Sequence, residues 1–191
     1  MGSEAQQQID QWLESSPARQ AVASYAIRHY SPCDALNAAI CAGFAVWAEQ
    51  ASRRSHYFAG RFENIYIDAA RIPALAPLLA RAQACAADIT GIAAARLRLG
   101  FWFNAMRPGE VTLPHTHDDD DEVLSAVYYL CAPAGSGDLI LHLDGGSTRL
   151  APQPGMWVFF APDCLHEVAR NDSNELRLSL GINFGLLANP V

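Results

Sequence analysis

The strongest constraint on this chain is a period of two. Between Arg96 and Met106, Leu97, Leu99, Phe101 and Phe103 alternate with Arg98, Gly100, Trp102 and Asn104. Between Glu175 and Phe184, Leu176, Leu178, Leu180 and Ile182 alternate with Arg177, Ser179, Gly181 and Asn183. Successive side chains of a strand point to opposite faces, so each segment reads as a strand with one aliphatic and one polar face. An aliphatic row needs cover, and helices over the outer face of the sheet would supply it. The polar rows then point inward, which predicts a polar pocket inside a barrel or sandwich.

The rest of the chain divides accordingly. From Gly91 to Phe184 nearly everything reads as short strands separated by Gly, Pro, Asn and Asp turns. Upstream, residues 4–57 read as helical. Ser3 caps a first helix carrying Ile9, Trp12 and Leu13. Ser16-Pro17 opens a second, with Ala21, Val22, Tyr25 and Ala26. Ser31-Pro32 precedes a third, from Asp34 to about Ser55 through Leu36, Ile40, Phe44 and Trp47. Gly60 to Ile67 reads as a short strand and Pro73 to about Ile89 as an alanine-rich helix. Helices first and strands after predict an α+β fold with a helical layer on a β-sandwich or barrel.

Charge and cysteine usage narrow the partners. The net charge is −7, so no global basic field recruits nucleic acid. All 13 basic side chains are arginine. The N-terminus is polar and unlike a signal peptide, and no apolar run approaches the ~20 residues of a membrane span. Cys33, Cys41, Cys85, Cys131 and Cys164 are scattered, odd in number and without a CxxC pair. They argue against a disulfide framework or a thiolate zinc site and for a cytoplasmic protein with reduced thiols. No membrane or nucleic-acid partner is expected, and a homodimer is left open.

The chemistry concentrates in Leu113-Pro-His-Thr-His-Asp-Asp-Asp-Asp-Glu122. His115 and His117 are two apart, so on a strand both imidazoles aim at one point, and neutral imidazole is a common metal ligand. His166 follows an apolar strand and the Pro162-Asp163 turn and is the third candidate. Asn171-Asp-Ser-Asn174 is a strong turn signal. A hairpin centred on Asp172-Ser173 would set His166 opposite Ser179 and Val168 opposite Arg177. His166, Arg177, Ser179 and Asn183 would then share the lumen. A buried Arg177 needs an anion, and no acid on these strands is placed to serve it. A carboxylate ligand in a bidentate pair would.

These segments together resemble the Fe(II)/2-oxoglutarate-dependent oxygenases, prolyl-hydroxylase-like, in the subgroup with HxH where relatives have HxD. The resemblance rests on His115-x-His117, Ser125-Ala-Val-Tyr-Tyr-Leu130, Gly137-Asp-Leu-Ile140, Pro154-Gly155 through Phe159-Phe-Ala-Pro162 to His166, and Arg177-Leu-Ser179 with Asn183-Phe184. Trp102-Phe-Asn104 and Pro108-Gly109 fit the approach to the motif, and the likeness spans about residues 96–185. It implies a double-stranded β-helix, of jelly-roll or cupin-like form. Residues 1–191 would be a single domain, with 1–92 as mainly helical support and 93–187 as catalytic core. It also implies iron held by His115, His117 and His166. The distal carboxylate of 2-oxoglutarate would lie at Arg177 and Ser179, with Asn104, Tyr128, Tyr129 and Asn183 lining the co-substrate pocket. The implied reaction hydroxylates an unidentified small-molecule or peptide substrate as 2-oxoglutarate is decarboxylated.

The third ligand has alternatives. His117-Asp118-Asp119 is a literal HxD, which offers Asp119. Gly109-x5-His115-x-His117-x4-Glu122 matches the first cupin motif, which offers Glu122 and a metal-dependent enzyme that uses no oxo-acid. A barrel that has lost its chemistry is a third reading. His142 reads as structural, His29 and His56 as solvent-facing, and Cys164 as a packing residue.

Overall fold

A computed structural model describes residues 25–117 and 121–187. Two sheets face one another. The larger has seven strands in the order β1-β9-β6-β11-β4-β3-β2, and the smaller has four in the order β5-β10-β7-β8. The strands of the larger are β1 (Tyr25–His29), β2 (Arg53–Phe58), β3 (Arg61–Tyr66), β4 (Leu97–Met106), β6 (Glu122–Cys131), β9 (Met156–Phe160) and β11 (Arg177–Leu186). The smaller contains β5 (Thr112–His115), β7 (Leu139–Leu143), β8 (Gly146–Leu150) and β10 (His166–Val168). Every pairing is antiparallel, from β1 with β9 to β7 with β8. This is the jelly-roll, double-stranded β-helix arrangement expected from the sequence.

Helices α1 (Asp34–Trp47) and α2 (Leu75–Thr90) cover the outer face of the larger sheet. Their buried residues Ile40, Phe44, Leu75, Leu78 and Ala82 pack with Leu97, Phe103, Leu178, Leu180 and Ile182. The aliphatic rows of β4 and β11 therefore do point outward beneath helices. Phe103 has no exposed surface, and its truncation to Ala would cost about 3–5 kcal/mol. The helices are also tied on by polar contacts. Asn37, buried on α1, donates to the Leu130 carbonyl at 3.1 Å and accepts from the Tyr128 hydroxyl at 2.8 Å. α2 ends at Gly91, whose φ of 71° is the left-handed conformation a helix terminus of this kind requires.

A second cluster fills part of the space between the sheets, with Met106, Tyr129, Leu141, Val158 and Phe160 among its members. Gly137 closes one corner of it. Its φ is 99°, and a Cβ there would sit 2.1 Å from the Ala169 carbonyl oxygen. Arg61 is locked by Glu63 at 3.2 Å and Glu110 at 3.3 Å and donates to the Val111 carbonyl at 2.8 Å. This ties β3 to the segment that leads into β5.

Three expectations need correction. The second helix, carrying Tyr25 and Ala26, is not helical from Tyr25 on: Tyr25–His29 is a strand along β9. The third helix stops at Trp47 and runs through a short 3-10 turn, Ala48–Gln50, into strand β2 rather than reaching Ser55. Residues 25–92 thus give three strands to the larger sheet as well as helices. The first helix, with Ile9, Trp12 and Leu13, lies outside the described residues. The hairpin between β10 and β11 is absent as well. β10 pairs with β5 and β7, so His166 and Arg177 belong to opposite sheets and face the lumen from two sides. The turn that was to join them is a crossover. Asn171, fully buried, donates to the carbonyls of Met106 and Glu175, both at 2.9 Å.

Candidate metal centre

β5 ends on His115, and His117 lies two residues on, its N–H donating to the Pro162 carbonyl at 2.8 Å. β10 begins on His166, which is the Cα partner of His115. Strand pairing thus brings together residues far apart in sequence. The ring centroids lie 4.2 Å apart for His115 and His166, 4.9 Å for His115 and His117, and 5.0 Å for His117 and His166. One ligand nitrogen from each falls within 4.8 Å of the others. Among the described residues this is the cluster able to hold a metal ion, and His117 fills the third place.

The rings are pre-oriented. His115 Nδ1 lies 2.8 Å from the Leu113 carbonyl and His166 Nδ1 2.9 Å from that of Cys164. A carbonyl only accepts, so each Nδ1 donates its N–H there and Nε2 is left as the nitrogen available to a metal. Both partners are the carbonyl two residues upstream. Sequence reasoning missed this repeated local bond, and nothing in the sequence but the His spacing hints at it. Phe160 walls His166 at 4.7 Å between centroids, and Trp102 walls His117 at 5.3 Å. The Trp102 indole lies across Gly181, where a Cβ would meet its Cε2 at 2.4 Å. Burial, aided by His115, pulls the His166 pKa down to about 3. His166 is therefore neutral at ordinary pH, the state a metal requires.

Arg177 is 1% exposed. Its Nη1 lies 3.3 Å from Met106 Sδ and 3.5 Å from Ser179 Oγ, and its guanidinium lies 5.1 Å from the centre of the Tyr129 ring. Among the described residues no carboxylate pairs with it, and Nε has no hydrogen-bond partner. The Tyr129 hydroxyl and Asn104 Oδ1 are likewise buried without partners. Asn104 and Ser179 are Cα partners, as are Ser179 and Tyr129, so these groups form one row across the lumen wall. Burial pushes Tyr129 up and Arg177 down from their ordinary values.

The other sequence candidates fall elsewhere. Tyr128 points to the opposite face of β6, where it bonds Asn37 and packs on Trp157, so it does not line the lumen. Adjacent strand residues face opposite ways, so only one of Tyr128 and Tyr129 could. Asn183 lies two lumen positions beyond Ser179 and accepts from Ser125 at 3.0 Å. Glu122 is not a member of the histidine cluster, and its Oε1 lies 3.8 Å from Arg98 Nη2. Asp119 lies outside the described residues. His142 bonds Glu167 and Ser147, away from the cluster. Cys164 contributes its carbonyl, while its thiol lies 3.8 Å from the His142 carbonyl.

No protein-family model matches the chain, and no curated protein matches it by sequence. Solved structures do. A Pseudomonas putida prolyl-4-hydroxylase is 23% identical at a TM-score of 0.69, covering 92% of this chain and 100% of its own. A Trichoplax adhaerens prolyl hydroxylase, solved with a hypoxia-inducible-factor peptide, is 10% identical at a TM-score of 0.69, covering 97% and 94%. The epimerase SnoN of nogalamycin biosynthesis, solved with Fe3+, α-ketoglutarate and nogalamycin RO, is 16% identical at a TM-score of 0.68, covering 92% and 84%. The fold is therefore that of the 2-oxoglutarate- and iron-dependent oxygenases. Among the described residues, no helix is long and apolar enough to cross a membrane.

Proposed function

We propose that the chain is an Fe(II)/2-oxoglutarate-dependent oxygenase that hydroxylates its substrate as 2-oxoglutarate is decarboxylated to succinate. One observation carries this: a buried guanidinium with no acidic partner among the described residues faces the same lumen as three converging imidazoles. A metal alone would not require Arg177. A ligand with a carboxylate at one end and metal-binding oxygens at the other satisfies both groups.

His115, His117 and His166 fit an iron ion as three nitrogen donors, two of them oriented through Nδ1. Three protein nitrogens would hold the ion and leave it able to take the oxo-acid and oxygen. Bound iron supplies the oxygen activation and the oxidation of the substrate. Arg177 holds the distal carboxylate in a charge-assisted pair, strengthened by its burial. The Ser179 and Tyr129 hydroxyls stand beside it to donate to the same carboxylate. Phe160 and Trp102 shield the imidazoles from bulk water.

Iron-reconstituted protein is expected to bind 2-oxoglutarate and to release succinate slowly even without substrate. Failure of the anaerobic iron protein to bind 2-oxoglutarate would sink the proposal and leave a barrel without this chemistry.

A further inference from the structure

The row of lumen-facing residues on β11 runs Arg177, Ser179, Gly181, Asn183, Gly185, and the candidate metal centre divides it. His117 packs on Trp102, whose indole lies over Gly181. Arg177 is at one end, where the co-substrate is placed. The other end, at Gly185, is about 13 Å from Gly181 at strand rise. That end is also built. A Cβ on Gly185 would meet the Arg98 guanidinium carbon at 2.7 Å, so Arg98 lies flat across this wall. Arg98 pairs with Asp121, and its Nη2 is 3.8 Å from Glu122 Oε1. Glu122 is the Cα partner of Gly185, so its carboxylate stands on the same inner face.

Glu122 is the anomaly. Its side chain is 10% exposed, and Oε2 is buried with no hydrogen-bond partner among the described residues. A buried carboxylate oxygen without a donor is costly. Arg98 meets the other oxygen: its Nη2 lies 3.8 Å from Oε1, beyond hydrogen-bond distance, and it also pairs with Asp121. Among the described residues, Asp121 and Glu122 thus stand together beside Arg98 at this end, opposite Arg177 at the other. Between the two ends the wall is small or uncharged, with Gly100, Ser125 and Asn183.

We infer that Glu122 is the substrate anchor, and that the substrate carries an ammonium or guanidinium group received by Oε2 at the Gly185 end of the lumen. The inference rests on the oxygenase reading only in placing the reacting carbon near the three histidines. The cation would lie several bonds from that carbon, as on an extended basic side chain. An anionic substrate would be repelled by Asp121 and Glu122.

The test is calorimetric titration of the full chain, metal-free and loaded with Mn(II) and 2-oxoglutarate. The probes are the N-acetyl methylamides of lysine, arginine and the uncharged isostere norleucine. The basic probes should bind at least about tenfold more tightly than the norleucine probe, as a charge-assisted bond to a buried carboxylate requires. Glu122→Gln should erase that difference, and Mn(II) should speed relaxation of the bound lysine probe's protons. Equal binding of all three, no binding of any, or a preference that survives Glu122→Gln overturns the assignment. Loss of Mn(II) and 2-oxoglutarate binding with the Glu122-dependent preference intact overturns the oxygenase reading and spares the anchor. Metal and 2-oxoglutarate binding without that preference does the reverse.

Discussion

His166 and His115 are Cα partners across the β5–β10 ladder, and each donates its Nδ1 proton to the carbonyl two residues before it. Each ring is therefore oriented by its own backbone, and the pair by a ladder contact, before any metal arrives. Replacing His166 by Ala should remove a ligand from this preset geometry and lower Co(II) or Fe(II) affinity at least about 100-fold. Calorimetry on the refolded, metal-free protein measures this. A change under tenfold would exclude His166 as a ligand.

The same residue makes the metal-free protein acid-sensitive. Burial holds the folded His166 pKa at about 3, against the ordinary 6.5. Below about 6.5 the unfolded chain takes up a proton that the folded chain refuses. Unfolding free energy should therefore fall as pH drops from about 6.5 toward about 3 and then level off. Urea unfolding across that range should show the slope, and His166→Leu should flatten it. An unchanged slope in the variant would assign the acid sensitivity to other groups.

Arg177 sets function against stability. A buried, unpaired guanidinium is a burden that a well-packed apolar side chain would lift. Arg177→Leu should abolish 2-oxoglutarate binding, leave metal binding intact and stabilise the ligand-free protein by about 1–3 kcal/mol. Melting curves with and without 2-oxoglutarate read both effects. The co-substrate should raise the melting temperature of the wild type alone.

Gly181 should tolerate no side chain. Its Cβ would meet the Trp102 indole at 2.4 Å, and Trp102 backs His117 at 5.3 Å between centroids. Gly181→Val should displace the indole, shift its fluorescence and weaken metal binding about tenfold or more, the loss typical when a ligand's support is removed. Normal metal affinity in a folded variant would show that Trp102 does not support His117.

Much of the site was legible because period-two alternation is unambiguous in a strand with one face on helices. β4 and β11 were readable residue by residue, and with them Arg177, Ser179 and Asn104. His115, His117 and His166 stood out by type and spacing. Pairing between strands was not legible. The Asn171–Asn174 turn reads locally as a hairpin, and only the contacts of Asn171 with Met106 and Glu175 make it a crossover between sheets. Tyr25 and Ala26 fit a helical stripe as well as a strand, and the free edge of β9 decides between them. In β2, Arg53-Arg-Ser-His-Tyr-Phe58 has no apolar alternation to betray a strand. Glu122 looked like a ligand from spacing alone, because spacing does not tell how far along the lumen a strand's first residue falls from the histidines.

The pairing of β1 with β9 also has a bearing on biosynthesis. Tyr25 finds Phe160 and His29 finds Met156, so an early strand depends on one made near the end of the chain. At ribosomal rates of ~5–20 residues per second, β1 waits roughly 6–27 s for its partner. Throughout that interval it is an unpaired edge, open to chaperones or to the wrong strand. Slow elongation between the codons for His29 and Met156 would lengthen that exposure, so yield of soluble protein should depend on translation speed there.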